Sequence, residues 1–228
     1  MKISYCHLLQ PSDKFQSSIG SLEVIKLLGK GKSAFSYLTK NSKSYYVLKL
    51  MHNEKVSYYD FKTDKTLVEV NAYNELKRLG IKMPKLYSYD PERQYLIKEM
   101  IEGPTAAEYI CANEINKNII EQLFQMSNIL REAKLNIDFF PTNFVVSKKG
   151  LYYIDYEINE YSFEWSLENW GIYYWANGEG FKKFLETGDA SFINSDIEKG
   201  IPIKEQFKQK INNWIEDYGN PIKGNGDP

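Results

Sequence analysis

The stretch Ile101-Glu102-Gly103-Pro104 separates two halves of different hydrophobic rhythm, and that division constrains the fold more than any other local feature. Before it, short apolar runs alternate with turn residues. After it, apolar residues mostly recur at helical spacing. In the first half, Leu22, Val24, Ile25, Leu27 and Leu28 lead into Gly29-Lys30-Gly31-Lys32-Ser33-Ala34, and Phe35-Ser36-Tyr37-Leu38-Thr39 resumes strand character. That order predicts a hairpin with a Gly-rich turn. Asn41-Ser42-Lys43 is a second turn. The next strand, Ser44 to Leu50, puts Tyr46, Leu48 and Leu50 on one side and Tyr45, Val47 and Lys49 on the other. Val68, Ala72, Leu76 and Leu79 then predict a helix from about Lys65 to Leu79, closed by Gly80. Met83 to Tyr89 and Gln94 to Met100 read as two strands around Asp90-Pro91-Glu92, and residues 1–20 leave room for a short leading strand or an extension.

After the break, helices are expected at 105–111, 116–134, 165–176, 179–187 and 204–218, with a hairpin around 144–156 between them. Trp165 and Trp170 read as core anchors of the third of these helices, because large aromatics dominate core burial. The expected organisation is a first lobe at 1–100, a hinge at 101–104, a second lobe at 105–218 and a loose Gly- and Pro-rich tail at 219–228. The fold class is α+β and bilobal: a small antiparallel sheet with one helix, then a reduced, mainly helical lobe. Ligands favour clefts between such lobes.

Composition narrows the function. A net charge of -1 creates no global field favouring nucleic acid or an anionic membrane. No stretch approaches roughly 18 apolar residues, so no transmembrane helix is expected, and the N-terminus lacks the pattern of a signal peptide. Cys6, Cys111, His7 and His52 stand in no metal-ligand spacing, which argues against zinc. The sparse cysteines suit a reducing cytoplasm.

The chemistry concentrates in Asn136-Ile137-Asp138-Phe139-Phe140-Pro141-Thr142-Asn143 and Leu151-Tyr152-Tyr153-Ile154-Asp155-Tyr156-Glu157. An Asp, an Asn five positions on, and an Asp after an apolar strand is the spacing that phosphoryl transfer from ATP needs. One Asp orients the attacking hydroxyl, the Asn holds magnesium, and the last Asp bridges magnesium to the phosphates. Alone, the same residues describe an ordinary turn between strands. The first half shifts that balance. Gly29 and Gly31 let backbone N–H groups approach phosphates, with Lys30, Lys32, Ser33 and Ser36 close in sequence. The P-loop pattern is absent.

Lys49 sits in an otherwise apolar strand, either as an edge-strand lysine or as a cation for the nucleotide phosphates. In the second case it needs a carboxylate partner. Glu69 is favoured over Glu75, since Glu69 and Ala72 share a face with Leu76. Glu99 and Ile101, in the connector, are candidate backbone partners for an adenine ring. Glu157 is either a supporting metal ligand or a structural acceptor.

In this order, Gly-rich hairpin, strand lysine, helix glutamate, hinge, Asp-x4-Asn and strand-end Asp, the chain resembles the protein-kinase-like superfamily over about residues 22–175. It looks closest to the compact atypical branches: the RIO kinases, the small kinase of the tRNA-threonylcarbamoylation complex, and the aminoglycoside and choline phosphotransferases. It is also similar to bacterial proteins labelled as serine/threonine kinases, through Gly-Lys-Gly-Lys-Ser, Asn-Ile-Asp-Phe-Phe-Pro-Thr-Asn-Phe-Val-Val and Glu-Asn-Trp-Gly. The resemblance implies ATP and Mg2+ as cofactors, Lys49 on the phosphates, Glu69 as its partner, Asp138 as the catalytic aspartate, and Asn143 and Asp155 as magnesium ligands. It implies a phosphotransferase acting on a hydroxyl, foremost serine or threonine of a protein. The alternatives are a small-molecule kinase and a nucleotide-binding interaction module without catalysis.

Three departures stand out. Asn136-Ile137 replaces the family's His-Arg, Asp155-Tyr156-Glu157 replaces Asp-Phe-Gly, and no Ala-Pro-Glu follows. Loop phosphorylation is therefore not the expected activator, and the peptide-docking segment is expected to be reduced.

Overall fold

A computed structural model of the chain describes residues 8–31, 33–52 and 64–219. Cys6, His7, Lys32, most of the link before the first helix (53–63) and the tail from 220 lie outside the described residues. The backbone divides into two compact units, Met1–Arg78 with Met83–Ile101, and Leu79–Lys82 with Glu102–Pro228.

Among the described residues, the first unit is a six-stranded antiparallel sheet with one helix. Its strands are β1 (Lys14–Ser17), β2 (Gly20–Lys30), β3 (Ala34–Lys40), β4 (Tyr45–Met51), β5 (Leu86–Asp90) and β6 (Tyr95–Glu99), in spatial order β1-β2-β3-β4-β6-β5. Alternation sorts the side chains. Phe35 and Tyr37 of β3, Leu48 and Leu50 of β4, and Tyr95 and Ile97 of β6 pack with Phe15, Leu22 and Val24 into one buried cluster. The opposite face carries a row set by register: Gly29 pairs with Ser36, Ser36 with Lys49, and Lys49 with Leu96. Lys49 thus lies on the face away from the apolar cluster, as its alternation with Leu48 and Leu50 predicts.

Helix α1 (Lys65–Arg78) ends before Gly80, whose φ of +77° is the left-handed geometry glycine tolerates. Its buried stripe differs from the expected one. Thr66, Val70, Ala72, Tyr73 and Leu76 are buried, whereas Val68 is 51% exposed. Tyr73 and Val70 bury more apolar area together than Val68 could, and they turn the helix by part of a revolution.

The second unit is mainly helical, with α2 (Ala106–Cys111), α3 (Lys117–Glu132), α4 (Ile172–Ala176), α5 (Gly178–Thr187) and α6 (Lys208–Tyr218). The helix starts follow from local chemistry. Thr105 and Glu108 form a reciprocal capping box on α2, and the Asn116 and Asn177 side chains cap α3 and α5. Three two-stranded ribbons complete the unit: β7 (Leu135–Asn136) with β10 (Asn159–Glu160), β8 (Phe144–Ser147) with β9 (Gly150–Tyr153), and β11 (Asn194–Asp196) with β12 (Ile201–Pro202). The β8–β9 hairpin was expected; the other two pairs are too short to leave a period-2 signal.

Lys82 joins this unit by backbone bonding, since Tyr153 N donates to Lys82 O at 3.0 Å and Lys82 Nζ donates to Lys149 O at 2.7 Å. The Gly-Pro break runs beside β8: Val146 N donates to Pro104 O at 2.9 Å, and a Cβ at Gly103 (φ +146°) would overlap the Val146 carbonyl.

The helix expected at 165–176 starts later, with one wide turn before α4. Trp170 N and Gly171 N both donate to Ser166 O, at 2.9 and 3.2 Å. Trp165 therefore lies outside the helix, 41% exposed, with its ring edge-on to the half-buried Trp170 at 5.6 Å. The aromatic core is built instead from Trp175, Phe124, Phe139, Phe144, Tyr153 and Tyr174. Among the described residues, no helix is long and apolar enough to cross a membrane.

Candidate functional site

The expected site residues fall in both units, and each unit assembles its own group. In the first, β4 lies between β3 and β6, so Lys49 is not on an edge strand. Lys49 Nζ meets Glu69 Oε1 at 2.6 Å, with the two side chains only 11% and 12% exposed. Glu69 sits inside the buried arc of α1, between Thr66 and Tyr73 on one flank and Ala72 and Leu76 on the other. Glu75 points away from that arc and pairs with Arg78, and the Arg78 guanidinium holds its carboxyl below the usual range.

The Gly-rich turn is tighter than its sequence implies. Gly29 belongs to β2, where a Cβ would meet nothing within 4 Å, so its backbone lies open to approach. The turn itself is closed by Gly31 N donating to Ala34 O at 2.9 Å. Ser33 contributes its carbonyl to this scaffold, accepting from His52 N at 2.9 Å, while His52 Nε2 lies 3.1 Å from Gly31 O. Lys65 Nζ in turn donates to His52 O at 2.6 Å. A lone histidine after a strand has no spacing signature, and by sequence His52 comes into question only as a metal ligand. Glu99 is already engaged at its N–H, which donates to Lys85 O at 2.8 Å, and its side chain accepts from Lys85 N at 3.1 Å. Ile101 is buried.

In the second unit, the register of the β8–β9 hairpin sets Asn143 opposite Ile154, the residue before Asp155. Phe144 pairs with Tyr153, and the ladder continues one step as Ile154 N donates to Asn143 O at 2.9 Å. Asn143 Nδ2 donates to Asp138 O at 3.3 Å, which turns its amide oxygen away from that carbonyl. Asp138 Oδ1 accepts from Phe140 N at 3.0 Å, and Asp155 Oδ1 accepts from Tyr156 N at 2.9 Å. Pro141 opens a single tight turn across residues 141–143, and Asn143 N donates to Phe140 O at 2.9 Å.

The electrostatics of this group are anionic. Burial raises the Asp138 carboxyl above its ordinary range, and the charges of Glu157 and Asp155 push the same way against the opposing bond from Phe140 N. The Tyr153 phenol, fully buried, is held well above its usual value by burial and then by Asp155, Asp138 and Glu157. Its hydroxyl donates to Glu157 O at 3.1 Å, which anchors the chain just after Asp155.

No group of three or more His, Cys, Asp or Glu suited to a metal exists among the described residues. Asn143 and Asp155 present one amide oxygen and one carboxylate, which are hard donors. That sparse set fits Mg2+ completed by phosphate oxygens and water rather than held in an all-protein cage.

No family model matches the chain, and no curated protein matches it. Among solved structures, it is similar to the crystal structure of the kinase domain of PF14_0431, at 19% identity and a TM-score of 0.44. The match covers 62% of this chain and 52% of that one, so it spans about half the length of that domain.

Proposed function

We propose that the chain is an ATP- and Mg2+-dependent phosphotransferase that moves the γ-phosphate to a hydroxyl, with serine or threonine of a protein as acceptor. The observation that carries this reading is the Lys49–Glu69 pair, nearly buried on a central strand. Buried ion pairs contribute little net stability, because desolvation offsets their attraction. A pair that stabilises so little makes sense as a positioning device, in which the glutamate aims the ammonium at the α- and β-phosphates.

The other residues take complementary roles. The open backbone at Gly29 receives the phosphates, with Gly31 and Ser33 shaping the turn beside it, and the Glu99 carbonyl and Ile101 N–H meet the adenine edge. Asp138, aimed by Phe140 N, orients the acceptor hydroxyl, and burial makes its carboxylate a better proton acceptor than an exposed one. Asn143 and Asp155 would hold the magnesium, which when bound neutralises charge on the β- and γ-phosphates.

Residues 139–154 contain Lys148 and Lys149 and no acid, which disfavours a polycationic acceptor between the catalytic motifs. The exposed acid Glu157, close enough to perturb Asp138, favours the second reading, a small cationic alcohol as acceptor. Such chemistry belongs in the ATP-rich cytoplasm.

The test is transfer from γ-labelled ATP into a protein extract and a metabolite pool, with wild type and Asp138→Ala compared. Label on a defined protein with wild type alone supports the reading. Label on a small alcohol moves the assignment to the second. Nucleotide binding without turnover in wild type leaves an interaction module.

A further inference from the structure

We infer that Trp175 is a positioning residue for Asp138, acting through the single peptide unit that joins Phe139 to Phe140. The carbonyl of that unit accepts from Trp175 Nε1 at 2.8 Å, and its N–H donates to Asp138 Oδ1 at 3.0 Å. No described peptide bond is cis. A trans peptide is planar, so its C=O and N–H point in opposite directions and turn together. Holding the oxygen from one side therefore aims the N–H at the carboxylate on the other. Bonds in such a chain also polarise one another, which strengthens the contact at Asp138.

The surroundings make this grip rigid. Trp175 and Phe139 are each 1% exposed, so water cannot replace the indole as donor. The Trp175 ring packs edge-on to Phe144 at 5.3 Å. Gly171 lets the helical segment approach closely, since a Cβ there would lie 2.5 Å from Phe139 Cβ. On the next residue, the Phe140 ring is held by Tyr174 and Phe181 at 5.0 and 5.2 Å. The Asp138 and Phe140 carbonyls are bonded locally by Asn143. Among the described residues, the carbonyl between them is the one bonded from outside the loop, by a residue 36 positions away.

This inference rests on reading Asp138 as the group that meets the acceptor hydroxyl, and the experiment separates the two. Trp175 is replaced by benzothienylalanine, which keeps the ring shape and has sulfur in place of the N–H; Trp175→Phe is the second variant. Three quantities are read: the melting temperature, kcat against KM for ATP, and exchange of the Phe140 amide proton by NMR. With the isostere, the fold persists, the Phe140 amide exchanges faster, and kcat falls about tenfold, the equivalent of one hydrogen bond, with KM for ATP unchanged. Trp175→Phe shows the same split with a lower melting temperature. Unchanged kcat with unchanged Phe140 exchange overturns the inference, as does a loss expressed only in KM. If wild type transfers no phosphate, the catalytic reading falls, and Phe140 exchange alone still decides whether the indole aims that N–H.

Discussion

Replacing Lys49 by Met and Glu69 by Leu, singly and together, tests whether this ion pair is retained for stability or for position. At 2.6 Å, with an effective dielectric near 20, the mutual attraction is ~6 kcal/mol. The side chains are 11% and 12% exposed, so water screens neither well, and removing each ion from solvent costs several kcal/mol. Attraction and desolvation nearly cancel. Either single replacement removes the attraction and leaves the other ion's desolvation in place, which costs about 3–5 kcal/mol. The double variant loses both terms and lies within about 2 kcal/mol of wild type, or above it. The assay is native-state hydrogen exchange of β4 and α1 amides. All four tryptophans, Trp165, Trp170, Trp175 and Trp214, belong to the other unit, so fluorescence would report on the wrong part of the chain. Glu75→Ala, removing a partly exposed acid paired with Arg78, leaves the same amides unchanged. Single variants indistinguishable from wild type, or a double variant as unstable as the sum of the singles, would refute the reasoning. The double variant should be folded yet transfer no phosphate.

Asp138→Asn should abolish transfer while stabilising the metal-free fold. The raised carboxyl means that the folded chain keeps a proton which the unfolded chain has already lost. Stability therefore falls as pH rises from about 4, the ordinary carboxylate value, through the raised one. The variant lacks that slope, so its advantage in melting temperature widens across the window; a constant or narrowing gap contradicts the burial argument. Asp155→Ala should remove the Mg2+ dependence of nucleotide binding measured by calorimetry with and without chelator, and unchanged dependence withdraws its assignment as a ligand. Gly103→Ala forces a side chain into a φ of +146° and against the Val146 carbonyl. A cost of about 3 kcal/mol lowers the melting temperature by about 6–12 °C, and a shift of under about 2 °C would show that residues 103 and 146 do not run so close.

Much of the first unit was legible because a sheet face writes itself into the chain. The alternation through Leu48, Lys49 and Leu50 is enough to assign Lys49 its face. The choice of Glu69 over Glu75 was also available from helical spacing, although the stripe behind it was misplaced at Val68. The third helix failed at Trp165 because bulk alone does not say which of two neighbouring indoles is inside.

Asp138, Asn143, Asp155 and Lys49 stand out as candidates from residue type and spacing, since the chemistry proposed for them depends on order along the chain and on a strand's two-residue repeat. Three features belong to packing alone: the central place of β4, the two-residue pairing of β7 with β10, and the indole of Trp175 on the Phe139 carbonyl. Local periodicity records which face is buried over a few residues. A hydrogen bond across 36 positions depends on how whole elements settle against each other, and no interval in the sequence encodes it.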